Sequence, residues 1–338
     1  MIDLLVAGGG PAGLVTALHA ARAGLTVTVI ERRSPPIDKA CGEGLMPHAV
    51  AQLDKLGITV PGKPFRGVTY LDSKRCVDAP LRADPGLGVR RTALHSALVD
   101  AAGAAGVDLV TAHVGSISQD SGSVQCAGFR ARYLAAADGL HSTIRRSLGL
   151  ARPSRGPRRW GLRRHVHTAP WSDRVEVYWG DGAEAYVTPV ADDCVGIAIL
   201  TARQGSFESR LGEFGALSDR VDGHPHGSER AAGPLRQRVA GRSAGRVMLV
   251  GDAAGYVDAL TGEGLGIGFG GAELLVNCVL ADRPGDYDRQ WRHMSRRYRM
   301  LTAGLLHATE YGTTRSRVVP AAAAFPGTFA KIVNLLAY

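Results

Sequence analysis

Asp3-Leu4-Leu5-Val6-Ala7-Gly8-Gly9-Gly10-Pro11-Ala12-Gly13 decides the fold. Residues 3–7 are a short apolar run bounded by glycine, which predicts a buried strand. From about Ala12 to Ala23 the pattern predicts a helix, closed by Gly24, and Leu25–Ile30 predicts a second buried strand ending at Glu31. A β-α-β unit of about 30 residues opens a parallel sheet, because parallel strands need a crossover. Each glycine has a reason. Gly8 permits the tight turn, Gly10 lets the backbone approach a pyrophosphate, and Gly13 lets the helix pack on the strand. Pro11 and Ala12 start a helix whose N–H groups and positive dipole end face that phosphate. Glu31 lies where a carboxylate accepts hydrogen bonds from both hydroxyls of an adenosine ribose. It repels a 2′-phosphate, so the site takes FAD or NAD rather than NADP.

The 338 residues correspond to roughly two domains at about 150 residues each. Forty basic and 31 acidic residues leave a net charge of +9, nearly all the positive charge being arginine. A basic balance fits nucleic acid, an anionic surface or an anionic ligand. No zinc-finger spacing or aromatic RNA-binding signature accompanies it, so nucleic acid is not the expected partner. The five cysteines are scattered and form no C-x-x-C pair, which argues against disulfides and structural zinc and for a cytoplasmic protein. No charged leader precedes the first strand, so no signal peptide is expected. The longest apolar stretch, Val318–Tyr338, is broken by Pro320, Pro326, Gly327 and Lys331.

Farther along, residues 46–56 and Arg91–Gly103 read as helices, and Val107–Val114 and Tyr133–Ala137 as strands. Residues 66–90 contain short alternating segments. Residues 151–159 read as a linker. Period-2 alternation over Arg163–Thr168, Arg174–Trp179, Ala185–Val190 and Val195–Leu200 predicts an antiparallel sheet. Val247–Val250 returns to the buried-strand style, and the remainder is helical. The expected fold is α/β: a three-layer, Rossmann-like dinucleotide domain with an inserted antiparallel β-sheet substrate domain. The first would comprise residues 1–66, 87–153 and 240–285, the second 67–86 and 154–239, with C-terminal helices over 286–338.

Two further glycine turns follow predicted strands. Asp138-Gly139 ends one, with Ser142 as helix N-cap. Gly251-Asp252 ends another and leads to Leu260-Thr261-Gly262-Glu263-Gly264-Leu265-Gly266, where glycines expose N–H groups at a helix start able to stabilise negative charge on a reduced ring. With the first glycine loop and Arg91-x-x-Leu94, these turns resemble, in order and spacing, the FAD-dependent monooxygenase and geranylgeranyl reductase superfamily, with the p-hydroxybenzoate hydroxylase fold. The resemblance spans residues 1 to about 280. It implies that Gly8, Gly10, Pro11, Ala12 and Gly13 hold the FAD pyrophosphate and Glu31 the ribose. It puts Arg32 and Val114 by the adenosine, and Arg91 near the pyrophosphate. Asp138 belongs to the second turn, Gly251 and Asp252 lie by the ribityl chain, and Gly264, Leu265 and Gly266 face the flavin. NAD(P)H would dock transiently as reductant.

Lys39-Ala40-Cys41-Gly42-Glu43-Gly44 and the 260–264 segment resemble the reductase branch, although Ala259 replaces a common proline. Cys41, Glu43 and Glu263 are the candidate catalytic residues. Cys41 also suits a buried glycine turn, and Glu43 a backbone cap. W-x-W-x-I-P is absent, which argues against halogenation. His165 and His167 share one strand face, and Glu176 and Tyr178 another; either face, with Trp179 or Tyr186, could line the substrate pocket. The histidine pair lacks a third ligand at sensible spacing, so no metal is expected. The arginines of 289–299 read as a solvated face, and the apolar tail as a cover for the pocket or a contact with a membrane surface. The first functional reading is hydroxylation of an apolar, aromatic or polyketide-like small molecule through a flavin C4a-hydroperoxide. The second is saturation of prenyl double bonds. The third is non-redox, a flavin-dependent cyclase or lipid carrier. The oligomeric state is left open.

Overall fold

The computed structural model describes residues 1–154, 156–310 and 312–338. Arg155, inside the expected linker, and Tyr311, inside the expected C-terminal helices, lie outside the described residues. The opening unit is β1 (Ile2–Ala7), α1 (Pro11–Arg22) and β2 (Val27–Glu31). β1 pairs with β2 in parallel, Leu4 opposite Val27 and Ala7 opposite Ile30. Outward from these, the sheet runs Ser243–Ala244, Val247–Leu249, Phe129–Ala136, β1, β2, Asp108–Thr111. From Val247–Leu249 to Asp108–Thr111 every pairing is parallel. The hairpin of Ile117–Gln119 and Val124–Cys126 adds an antiparallel arm to Phe129–Ala136.

Leu4, Leu5, Val6 and Ala7 are all fully buried. Successive strand side chains point to opposite faces, so both faces of this sheet are covered. Helix α1 lies between Arg91–Ala104 and Gly264–Leu280. This layering puts the ends of β1, β2, Phe129–Ala136 and Val247–Leu249 at one rim, where the glycine turns sit.

A second, seven-stranded sheet runs Arg230–Ala232, Trp160–Val166, Cys194–Thr201, Ala183–Ala191, Val175–Trp179, Gly67–Leu71, Cys76–Pro80. It is not wholly antiparallel: Val175–Trp179 and Gly67–Leu71 run parallel, Val175 opposite Val68. Alternation shows that a strand is half-buried, but not which way a strand remote in sequence will run beside it. Within the expected linker, Ala151–Arg152 pairs with Arg238–Val239 as a two-stranded ribbon. Gly86–Gly88 joins Gly44–Leu45 and Lys63–Phe65 in a small third sheet.

The large sheet separates two environments. Ala185, Val187, Ile197 and Ile199 pack against Phe207, Phe214 and Leu217 of two short helices. Glu176 is on that covered side too, accepting hydrogen bonds from Trp171 Nε1 (2.9 Å) and the Tyr178 hydroxyl (2.7 Å). The alternate residues Val175, Val177, Tyr186, Ala198 and Leu200 face a cavity. Its roof is the last helix, Pro326–Ala337, started by a proline at its first position. Asn334 ties that helix to the sheet edge, donating to the Pro80 carbonyl (2.9 Å) and accepting from Arg82 N–H (2.9 Å). Arg315 anchors the preceding turn, donating to the Gly180 carbonyl and pairing with buried Glu184, each at 2.7 Å.

Candidate active site

The turns at the sheet rim line one end of a cavity of about 870 Å³. Gly8 has φ +114°, and a Cβ there would lie 2.4 Å from the Ala137 carbonyl oxygen. At Gly13 a Cβ would fall 2.0 Å from the Gly8 carbonyl oxygen, so this glycine exists for helix–strand contact. Gly10 differs. Its φ of −74° suits any residue, and a Cβ would meet no protein atom within 4 Å. The space beyond it is the cavity, and a group pressed against the main chain explains the glycine. His95, buried beneath the loop, holds it: Nε2 lies 2.8 Å from the Gly9 carbonyl, an acceptor, so Nε2 carries the hydrogen.

Glu31 ends β2 and accepts from Gly9 N–H (3.0 Å), Arg32 N–H (3.1 Å) and Arg33 N–H (3.0 Å). Burial pushes its carboxyl up, but the hydrogen bonds and charge of Arg33 outweigh that and leave it below the ordinary value. Arg32, Val114, Asp138, Gly139 and His141 line the same end. Asp138 caps the next helix through Ile144 N–H (3.1 Å), while its buried Oδ1 has no protein partner.

At the middle of the cavity Asp252 pairs with Lys39 at 2.8 Å. Burial raises the Asp252 carboxyl, yet Lys39, Arg91 and Arg145 bring it below its usual range. Gly251 has φ +62°, and a Cβ would come 2.7 Å from Ala12 Cβ, so the third turn presses on the first. Arg145, buried, joins the second turn to the third. It donates to the carbonyls of Leu140 (2.8 Å) and Ala253 (3.1 Å) and to Gln237 Oε1 (2.7 Å).

Gly264 and Leu265 line the cavity at the start of the helix Gly264–Leu280. Gly266 instead faces His48, whose Nε2 would lie 1.9 Å from a Cβ. Glu263 is outside the cavity lining, buried with Oε2 3.0 Å from His48 Nε2, and His48 Nδ1 is 3.2 Å from the Ala337 carbonyl. Burial drives the Glu263 carboxyl well up and the His48 imidazole down. Both directions favour a neutral pair in which Nδ1–H donates to Ala337 and Nε2 accepts from the protonated carboxyl.

Cys41 and Glu43 line the same cavity in the turn that follows Lys39, and Cys41 Sγ accepts from Glu43 N–H at 3.4 Å. Glu43 has φ +58°, an uncommon conformation for a side-chain-bearing residue. Its carboxylate accepts from Arg91 N–H (2.8 Å), lies 2.6 Å from His165 Nε2 and has Arg163 Nε at 3.9 Å. It braces the turn that presents Cys41 and the helix that carries Arg91. Beyond Cys41 the walls are Phe65, Tyr70, Val175, Val177, Leu200 and Val333. Tyr186 spans the chamber edge, its hydroxyl donating to the Leu260 carbonyl at 2.9 Å.

Lys39, Arg145 and His48 escaped sequence reasoning as site residues. Lys39 opens the quoted 39–44 motif, and a lone lysine leading into small residues is the signal that could have found it; Arg145, beside Arg146 on a short helix, carries no such signal. His48 carries no such mark.

These features define a dinucleotide cleft running into an apolar chamber. The chain matches the FAD binding domain family over residues 1–211 and belongs to it. It is 31% identical to the menaquinone reductase of Mycobacterium tuberculosis, over 84% of this chain and 80% of that protein. It is 30% identical to digeranylgeranylglycerophospholipid reductase 1 of Methanothermobacter thermautotrophicus, over 86% and 82% respectively. The solved flavin-dependent halogenase CmlS superposes with a TM-score of 0.83, covering 93% of this chain and 67% of the halogenase at 19% identity; that likeness is one of fold. The protein is thus an FAD-dependent oxidoreductase of the superfamily whose motifs its sequence carries. The cleft fits FAD. Gly10 is open to a pyrophosphate, Glu31 sits at the ribose end, and Asp138 Oδ1 awaits a donor.

Proposed function

We propose that the protein saturates a carbon–carbon double bond in the isoprenoid chain of a lipid, such as a polyprenyl quinone. The observation that carries this reading is the chamber beyond Cys41: Phe65, Val175, Val177, Leu200 and Val333 form its walls, and the ionisable groups among them are the tyrosine hydroxyls of Tyr70, Tyr186 and Tyr256. Burial raises the pKa of all three, so they stay protonated. Such walls bind a hydrocarbon chain by removing its surface from water, at about 25 cal/mol per Å². Among the described residues, these walls offer no carboxylate or ammonium to orient a polar aromatic acid. That two relatives are a menaquinone reductase and a digeranylgeranylglycerophospholipid reductase agrees with this reading.

Bound FAD supplies two-electron reducing chemistry, with NAD(P)H or another donor restoring it. The chain's own residues divide the remaining work. The Gly10 backbone, Glu31, Asp138 and Asp252 hold the cofactor. The apolar walls orient the substrate and exclude water from the reacting bond. Cys41 Sγ, on the cavity wall, holds the proton that adds to the second alkene carbon. Glu43, fixed by Arg91 and His165, positions the turn that carries Cys41.

The test is an anaerobic incubation of chemically reduced holoenzyme with a polyprenyl quinone, read by mass spectrometry. A product heavier by two hydrogens supports the proposal. A product formed only with dioxygen and carrying one of its oxygen atoms overturns it in favour of hydroxylation. A product isomeric with the substrate overturns it in favour of the non-redox reading.

A further inference from the structure

The last helix is apolar on both sides. Phe329, Val333 and Ala337 are buried inward, and Val333 and Leu336 reach the cavity. On the outside, Phe325 is 67% exposed, with Ile332, Leu335 and Tyr338 also open. Residues 325, 328, 332 and 335 recur at three- and four-residue intervals, so they share one face. From 318 to 338 the only charged residue is Lys331, itself exposed. Phe325, Ile332 and Leu335, open on one outer face interrupted only by Thr328 and Lys331, are not shaped for water alone.

Cations border this face. Arg297 donates to the Leu335 carbonyl at 3.3 Å, which puts the helix Arg296–Glu310 beside it. Arg296 is exposed next to Arg297, and Met300, 62% exposed, follows within one turn. Among the described residues, Arg296, Arg297 and Lys331 have no acidic partner. Their side chains leave positive charge unbalanced around an apolar face.

We propose that Pro326–Ala337, with the Arg296–Met300 turn, docks the protein on the surface of an anionic lipid bilayer. The charge ring decides the occupant: unpaired cations around oil match phosphate headgroups above acyl chains. No single helix among the described residues is long and apolar enough to cross a membrane, and the pair Gly312–Ala324 and Pro326–Ala337 bends by 104°. The face therefore lies on the bilayer rather than through it. The same helix roofs the chamber, so docking sets the chamber against the acyl region. That link to substrate delivery rests on the lipid-reductase reading above; the docking itself does not.

The experiment is flotation of the FAD-loaded full chain with vesicles of phosphatidylcholine alone or with about a third phosphatidylglycerol. Binding is expected only with phosphatidylglycerol. Three surface cations correspond to roughly a hundredfold in partitioning, lost in about 0.5 M salt. Phe325→Glu with Leu335→Glu, and separately Arg296→Gln with Arg297→Gln, should each abolish flotation while flavin absorbance and melting temperature are kept. Wild-type protein that stays with the buffer overturns the proposal, as does unchanged flotation of both variants. A wild-type dimer in solution that Leu335→Glu converts to monomer overturns it too, since a second copy would then cover the face. Turnover of a short-chain substrate in detergent separates the two readings: if lipid reduction fails there, flotation still stands or falls by itself.

Discussion

Lys39 and Asp252, 213 positions apart in sequence, meet as a 2.8 Å ion pair on the cavity wall. The pair closes a ring. The turn that carries Lys39 leads directly to Cys41, and the turn that carries Asp252 touches α1 through Gly251 and Ala12. The turn that carries Cys41 and the glycine turns are thereby one mechanical unit. Asp252→Ala should weaken FAD retention by one to two orders of magnitude, the loss of a charge-assisted contact of about 1.5–3 kcal/mol. Lys39→Met should raise the Asp252 carboxyl toward its ordinary value. The native carboxyl sits below the unfolded one, so the pair contributes stability above the unfolded pKa and loses it as pH falls through the lower folded value. Acid unfolding of Lys39→Met followed by circular dichroism should accordingly begin at higher pH than wild type.

Two glycines of one loop should respond oppositely to the same methyl group. Gly10→Ala leaves the protein unclashed, so its melting temperature should stay within about 2 °C of wild type while FAD binding is lost. Gly13→Ala drives a Cβ into the Gly8 carbonyl, so the apoprotein itself should be destabilised by about 1–3 kcal/mol or more. Thermal melts of the two apoproteins with flavin titrations check this. Equal destabilisation of both would remove the phosphate assignment of Gly10.

Asp258 supplies a pH signature. Burial raises its carboxyl, Arg159 works against that and Glu184 with it, and the result is about 6. A carboxyl raised in the folded state stabilises most below the unfolded pKa, and that contribution is lost as pH rises through the folded one. Relative to Asp258→Asn, the wild type should lose up to about 3 kcal/mol between pH 4 and 6 and show a constant difference above. Denaturant melts at stepped pH measure it, and a gap independent of pH would refute it.

Cys41 and Glu43 should separate in kinetics. Cys41→Ala should keep full FAD content and substrate KM and lose at least tenfold in kcat, as expected of a lost proton donor. Glu43→Ala removes the acceptor of Arg91 N–H and the partner of buried His165, while Arg163 keeps its pair with Asp38, so it should cost about 1–3 kcal/mol of stability. Glu43→Gln should recover part of the fold because its amide still accepts from Arg91 N–H.

The glycine loops were legible because their demands are local: Gly8 and Gly13 are fixed by atoms within the turn and one neighbouring strand. The large sheet was legible as alternation, and its parallel junction was not, because Val175 meets Val68 only through the tertiary fold. The same limit applies to the site. Glu43 and His165 stand 122 residues apart, and no spacing along the chain announces their contact. Glu263 was visible as an acid among glycines, but its partner His48 and its burial belong to packing.

The cavity draws its two ends from different materials. Main-chain turns furnish the nucleotide end, where almost any substitution is felt. Side chains furnish the other, among them the interchangeable aliphatic Val333 and Leu336 of the last helix. Enlarging or trimming them would reset how long a guest fits without disturbing the cofactor's grip. New substrate preferences can therefore arise in this scaffold by drift at two positions, while its chemistry stays constant.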